Sequence, residues 1–428
     1  TALPGYYSNL LTKYGIRTEV TATPRTSAER YTFPEGTGHI LLNLGEGLTN
    51  ESGAWVRRVS DTEVEGMKLL GTFCYNPQAV FPVYFVMRVS KRPAATGFWK
   101  KQPPKQGVEA EWDKDAGNYK LYTQYGKDIA GDDVGVWFSY DMQPGEQVEV
   151  RMGVSFVSAE NARLNLEAEQ QGRSFDDIRA AARRTWNDDL GRIRVEGGTE
   201  AQKKVFYTGL YHALIHPNVL SDVNGEYPAM ESAEIRTAEG NRYTVFSLWD
   251  TYRNLHQLLT LVYPERQLEM VRSMVGMYRE WGWLPKWELY GRETFTMEGD
   301  PSIPVIVDTW MKGLRDFDMD AAYEAMRKSA TTPGARNRMR PDIDPYIEKG
   351  YVPLGFYARD LSGDNSVSHA LEYYIADHAL SLLADSLGKK DDAALFRARS
   401  LGYKNYYSTE SGTFRPITKE GKFLTTFD

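Results

Sequence analysis

Hydrophobic positions follow two different periods along this chain. In residues 1–158 they alternate. "VEVRMGVSFVS" sets Val148, Val150, Met152, Val154 and Phe156 at every second position, with mostly polar or small residues between. A period of two puts successive side chains on opposite faces, so this run predicts a strand with one buried face. "GHILLNLG" and "VYFVMRVS" are further strand candidates. Turn signals such as Gln143-Pro144-Gly145-Glu146 and Pro34-Glu35-Gly36 separate the runs. Many short strands and no helical period predict an antiparallel β-sandwich.

After Ser158 the register changes. "AENARLNLEAEQQGRSFDDIRAAARRTWNDDLGRIRV" is charged, Ala-rich and broken at Gly172, which predicts a helical linker over residues 159–199. From about residue 200 the period is 3.6. Val205, Tyr207, Leu210, Tyr211 and Leu214 mark one helix, closed by Pro217. Leu255, Leu258, Leu259 and Val262 mark another, closed by Pro264. Leu268, Val271, Val275 and Tyr278 mark a third. In "SVSHALEYYIADHALSLLADSLG", Val367, Leu371, Tyr374, Leu382 and Leu383 predict a buried stripe, with Gly388 just past the helix end. Lys389-Lys390 suits the C-terminal dipole, and Asp391-Asp392 opens the next helix. Roughly eight such helices in successive hairpins predict an incomplete (α/α)6 barrel over residues 200–428. An open ring would leave apolar faces in water at ~25 cal/mol per Å². The expectation is therefore a missing C-terminal segment, or a partner chain, that completes the barrel.

Composition narrows the class. Of 428 residues, 41% are hydrophobic and 25% charged, which is globular rather than disordered. A net charge of −7 argues against a nucleic-acid partner, which needs a dense basic field. Arg179, Arg183 and Arg184 are flanked by acids and read as a solvated helix face. Cys74 is the single cysteine, so no intrachain disulfide or cysteine-based metal site forms, and the redox compartment stays open. No apolar run has the ~18 residues of a membrane span. The start at Thr1-Ala2-Leu3-Pro4 and the end at "GKFLTTFD" both read as cut. Aromatic residues reach 13%, which suits a binder of sugar rings, though a large core consumes aromatics equally well.

Two stretches are dense in candidate chemistry. In "FSLWDTYR", Asp250 and Arg253 stand three apart beside Trp249. Ser247-x-x-Asp250 fits a capping box, and Asp250 with Arg253 fits a helix-surface ion pair. The alternative is a carboxylate and a guanidinium at the mouth of a helix, forked onto adjacent sugar hydroxyls with Trp249 stacked nearby. The second stretch, residues 280–310, holds Trp281, Trp283 and Trp287 with Glu288, Glu293, Glu298, Asp300 and Asp308. It reads as a functional loop leading into a helix, or as a lid packing its own tryptophans, with Asp300 as a helix cap. Asp316, Asp318 and Asp320 mimic the start of a calcium loop. Ala321 and Arg327 stand where its Gly and Glu belong, so helix capping is expected instead. His212 and His216 have zinc-like spacing but no third ligand. His369 and His378 read as core residues. No Gly-rich phosphate loop or serine nucleophile elbow occurs.

The series "YTGLYHALIHPN", "DVNGEY", "FSLWDTYR", "GWLPKWELYGRETFTMEGDPSIPVIVD", "GYVP", "ARD", "SVSHALEYYIADHALSLLADSLGK" and the final "FD" resembles, in this order, the family 92 glycoside hydrolases. "PGYYSNLLTKYGIRTEVTATPRTSAERYTFP" extends the resemblance to the N-terminal half. The resemblance implies a β-sandwich joined by a helical linker to an (α/α)6 barrel, with the active site between them. It implies exo-acting hydrolysis of terminal α-linked mannose with inversion, calcium as cofactor, a mannose-containing glycan as partner, and a periplasmic or secreted location. It makes Asp250 and Arg253 contacts to the mannose in the −1 subsite, with Trp249 in support and Trp287 and Asp300 in the pocket wall. The family's catalytic Glu, its Asp pair and most calcium motifs fall after "FD". No residue of this chain is therefore assigned as acid, base or metal ligand, and these 428 residues alone are expected to be inactive. Two alternatives stay open: a related barrel glycosidase acting on glucosides, and a carbohydrate-binding fragment without turnover.

Overall fold

The computed structural model describes residues 1–47, 50–71, 76, 79–101, 119–123, 126–356 and 365–425. Cys74 and the "ARD" and "FD" motifs lie outside them. The N-terminal region is two antiparallel sheets. The larger has nine strands, in the order Ala2–Leu3, Tyr6–Leu11, Ile16–Ala22, Thr26–Thr32, Gln147–Ser155, Val80–Val89, Glu63–Gly71, Asn50–Arg58 and Asp128–Gly131. The smaller runs Tyr119–Tyr122, Ala95–Lys101, Val134–Met142, Gly36–Asn43. Val136 and Phe138 of the smaller sheet share one buried cluster with Val56, Phe85, Val148 and Val150 of the larger. This is the expected sandwich.

The expected single buried face on Gln147–Ser155 is only half right. Val148 and Val150 are buried, but Met152 and Val154 are half-buried, while Gly153 and Ser155 on the opposite face are buried. The reason is helix α1 (Ala159–Gln170), which lies on that face. A Cβ at Gly153 would stand 2.2 Å from the Ala162 carbonyl oxygen and 2.8 Å from the Leu166 Cβ. Helix α2 (Phe175–Leu190) extends the cover by packing Phe175 and Ile178 against Tyr6 and Ala28. The segment read as a linker is thus a third layer on the sandwich. Ser158 caps α1, and a Ser174–Asp177 capping box starts α2.

Buried Asp222 ties this layer to the helical half. Its carboxylate accepts from Ser155 Oγ at 2.7 Å, Asn161 Nδ2 at 2.8 Å and Asn165 Nδ2 at 2.6 Å. Burial raises its pKa above the ordinary carboxylate value.

The helical half contains α3 (Glu200–Ala213), α4 (Leu248–Thr251), α5 (Leu255–Val262), α6 (Pro264–Trp281), α7 (Ser302–Met311), α8 (Met319–Thr331), α9 (Ile343–Lys349), α10 (Ser366–Ser386) and α11 (Lys390–Ser400). Pro264 opens α6 at its first turn, where its missing N–H costs nothing. Asp318 caps α8 through the Ala321 amide, as the failed calcium pattern led one to expect. The end of α10 is also as expected: Gly388 is left-handed at φ 74°. Lys389 N–H reaches the Ala384 carbonyl at 2.8 Å and Gly388 N–H reaches Asp385 at 3.0 Å.

The stripe on α10 is rotated from the expected one. Helices α7, α8 and α11 surround it. Of the expected stripe Tyr374 and Leu383 are buried, together with His369, Tyr373, Asp377 and Leu380, whereas Val367 and Leu371 are half-buried and Leu382 is exposed; His378, read as a core residue, is also exposed. On α3 only Leu210 of the expected stripe is buried, and Val205 is exposed.

Candidate active site

The two chemically dense stretches come together. Strand Phe246–Ser247 pairs with Trp287–Leu289, which pairs with Arg292–Glu293. The strand runs directly into α4, so Trp249 and Asp250 ride on a single helical turn anchored to the 287–293 hairpin.

Backbone strain collects at this junction. Val245, Tyr290, Phe295 and Met297 all take positive φ, at 64°, 49°, 55° and 66°. For a β-branched valine this conformation is costly and persists only when neighbours enforce it. Two fully buried glutamates do so. Glu288 accepts from Thr244 Oγ1 at 2.9 Å, Val245 N–H at 3.0 Å and Gly291 N–H at 2.5 Å. Glu293 accepts from the amides of Lys286, Trp287 and Phe295, each at 2.9 Å. Val245, Tyr290 and Met297 then pack on Phe81 and Phe156 of the sandwich, with Phe156 stacked 4.5 Å from Tyr290.

Burial pushes Glu288 from 4.5 up to about 7 and raises Glu293 as well. Between those two values folded Glu288 keeps a proton that the unfolded chain has lost. Its contribution to stability is therefore complete below about pH 4.5 and disappears as pH rises through about 7. In thermal unfolding across that window, Glu288→Gln should flatten the decline in midpoint with rising pH. Parallel profiles for the two proteins would remove Glu288 from the account.

On the turn itself, the expected capping box does not form. The Ser247 hydroxyl donates to the Asp250 carboxylate, and no side chain caps α4. Asp250 and Arg253 do not form the expected ion pair with each other among the described residues. Asp250 is exposed. Arg253 instead reaches across to Glu372 on α10, donates from Nη1 to the Trp249 carbonyl at 2.6 Å, and lies 4.8 Å over the Trp249 ring and 4.6 Å over the Tyr252 ring. Glu372 also accepts from Trp249 Nε1 at 3.2 Å and from the Tyr252 hydroxyl at 2.6 Å.

The sequence reading passed over Glu372 because it sits inside a helix read for its apolar stripe. Its signal was an acid three residues past the buried His369, a spacing that shares a helix face. Gly299, at φ 77°, brings the loop against it, and a Cβ there would lie 2.5 Å from the Glu372 Cβ. Glu298 pairs with His369 and accepts from Asn365 Nδ2 at 2.8 Å, both also on or beside α10.

The two residues expected in the pocket wall lie deeper. Trp287 is 8% exposed and packs with Phe81 and Leu289 between the sandwich and the helices. Asp300 is 3% exposed and does not cap a helix with its side chain; it pairs with Arg340 at 3.0 Å and accepts from Ser329. Left-handed Gly299 turns the chain inward there. A cavity of about 290 Å³ bordered by Arg25, His216 and Arg266 does not include the turn. Its arginines are already paired, Arg25 with Glu169 and Arg266 with Asp189.

What remains open is an exposed carboxylate and a guanidinium on one fixed turn, beside a tryptophan ring. A carboxylate accepts from two neighbouring hydroxyls and a guanidinium donates to their oxygens, which is the chemistry of a sugar diol.

The chain has clear relatives among known proteins. Residues 1–155 match the glycosyl hydrolase family 92 N-terminal domain, and residues 161–428 match the family's catalytic domain. An α-mannosidase of this family from Bacteroides thetaiotaomicron superimposes with a TM-score of 0.87 at 30% identity, over 100% of this chain and 55% of that one. An inverting mannosidase of the same family and organism gives 0.86 at 27% identity, over 100% and 54%. A secreted glycosidase of Arthroderma benhamiae is 27% identical over 277 residues, 63% of this chain and 31% of that protein. The chain spans about half the length of these solved relatives. With both domains of the family matched in order, the chain belongs to glycosyl hydrolase family 92.

Proposed function

We propose that the protein hydrolyses terminal α-linked mannose from glycans, with inversion, and that Asp250 and Arg253 hold hydroxyls of one mannose unit. The observation that carries this is the turn: both groups are exposed, while Glu288 holds the Val245 amide that leads into it and Glu372 holds the Trp249, Tyr252 and Arg253 side chains. Support comes from the relatives, one an α-mannosidase solved with mannoimidazole and another an inverting mannosidase. A secreted or periplasmic setting fits the relative named as a secreted glycosidase. No helix among the described residues is long and apolar enough to cross a membrane.

Inversion needs a carboxylic acid and a carboxylate base ~6.5–9.5 Å apart, with water between the base and the sugar. We assign neither role to a described residue. Glu288 has the raised pKa of an acid, but it is fully buried and its oxygens are taken by Thr244 and two amides. Calcium does not fit the described residues either. No group of three His, Cys, Asp or Glu side chains that could hold a metal ion occurs among them, and Glu298 and Glu372 are engaged by His369, Asn365, Trp249, Tyr252 and Arg253.

The natural protein, assayed with paired aryl α-mannosides and α-glucosides, should turn over the mannoside at least ~10-fold faster in kcat/KM. A glucoside preference would overturn the mannosidase reading. Mannose binding without turnover would make it a binding protein.

A further inference from the structure

Three donors from one short turn converge on a single carboxylate. Trp249 Nε1 and Arg253 Nη2 donate to Glu372 Oε1, and the Tyr252 hydroxyl donates to Oε2. We propose that Glu372 is the positioning residue of this turn, fixing Trp249 and Arg253 in the orientation in which they meet the sugar. The proposal rests on the reading that Asp250 and Arg253 hold a mannose unit.

The turn cannot fix itself. Helix α4 is four residues long and has no side-chain cap. Isolated helical turns of that length do not persist, because nucleation is unfavourable. Arg253 has a long, flexible stem and is 45% exposed, so without an anchor it would sample many rotamers. Helix α10, in contrast, is rigidly placed: Tyr373, Asp377 and Leu380 are fully buried around it. Glu372 projects from that helix with its side chain 12% exposed. Close approach at Gly299 blocks it from the other side. Burial and the nearby Glu372 charge raise the Tyr252 pKa, so this phenol stays a donor at any working pH.

Half-exposed ion pairs contribute little to stability, so the role of this one lies in geometry. Glu372 fixes one guanidinium edge, and the Trp249 carbonyl fixes a second donor. The remaining donors then point in a set direction, over a Trp249 ring that the same carboxylate holds. Binding a sugar needs no further ordering of either side chain, and pre-organisation of this kind lowers the cost of binding.

The test is a double-mutant cycle in the natural protein with Arg253→Ala, Glu372→Ala and both together, read as kcat/KM on an α-mannoside. Glu372→Ala should lower kcat/KM at least ~10-fold, and the loss in the double variant should be well below the product of the two single losses, because Arg253→Ala has already removed one of the two side chains that Glu372 holds. Losses that multiply, or a Glu372→Ala enzyme within ~3-fold of wild type, overturn the proposal. Should the alanine variant fail to fold, Glu372→Gln takes its place in the cycle.

Failure of the sugar reading is seen separately, as an Arg253→Ala protein no different from wild type on the mannoside. A crystal structure of Glu372→Gln then decides the matter without activity. The guanidinium is expected to leave the Trp249 ring, and a guanidinium still stacked there overturns the proposal.

Discussion

Arg340→Ala should cost the helical half about 3–5 kcal/mol of stability. Arg340 is fully buried and holds two carboxylates: Asp300 through Nε at 3.0 Å and Asp377 through Nη1 at 2.8 Å. Arg399 pairs with Asp377 at 3.0 Å and Tyr346 donates to it at 2.9 Å. Two cations thus balance two anions in a largely buried cluster. Removing Arg340 leaves Asp300 with only the Ser329 hydroxyl, and Asp377 with one cation. Breaking a buried pair from one side is expensive because the orphaned charge has nowhere to be solvated. The charges here join the 299–302 loop, α8, the segment before α9, and α10, so the damage spreads across the helices. Arg340→Lys keeps the charge but loses the fork, and should fall between the two. Urea unfolding measures it, and a loss below about 1 kcal/mol for the alanine variant would show that the cluster is solvated or dispensable.

Asp250→Ala should act on the opposite axis. Its carboxylate is exposed and accepts from Ser247 in the same turn, so the unfolding midpoint should stay where it is. On an α-mannoside, kcat/KM should fall about 10–100-fold, the size expected for losing charged hydrogen bonds of ~1.5–3 kcal/mol in total. Asp250→Asn, which still accepts from one hydroxyl, should lose less. A drop in midpoint together with activity would mean that Asp250 holds the fold rather than the sugar.

How much of this was legible in the sequence follows from the range of each interaction. The change of period at Ser158, the break at Gly172, Asp318 at the start of α8 and Gly388 at the end of α10 are local, and each is written within four or five residues. The rotated stripe on α10 is not local: three helices surround it, so apolar spacing alone could not say which side faces the centre. Alternation at Val148 to Phe156 could not reveal that α1 would cover the polar side, although Gly153 inside a strand was a hint of close approach. Asp250 and Arg253 stood out because charge beside tryptophan is conspicuous. Their organiser, Glu372, lies 119 residues beyond Arg253 and looks like any helix acid. Asp300 was misjudged for a related reason: an acid in a Gly- and Pro-rich loop suggests a surface site, and its buried partner Arg340 comes 40 residues later.

The most direct test is a crystal structure of the natural protein with mannoimidazole. The account predicts the Asp250 carboxylate and the Arg253 guanidinium within ~2.6–3.2 Å of hydroxyls on one and the same ring. A ring bound elsewhere, with both side chains still turned only to Ser247, Glu372 and the Trp249 carbonyl, would contradict it.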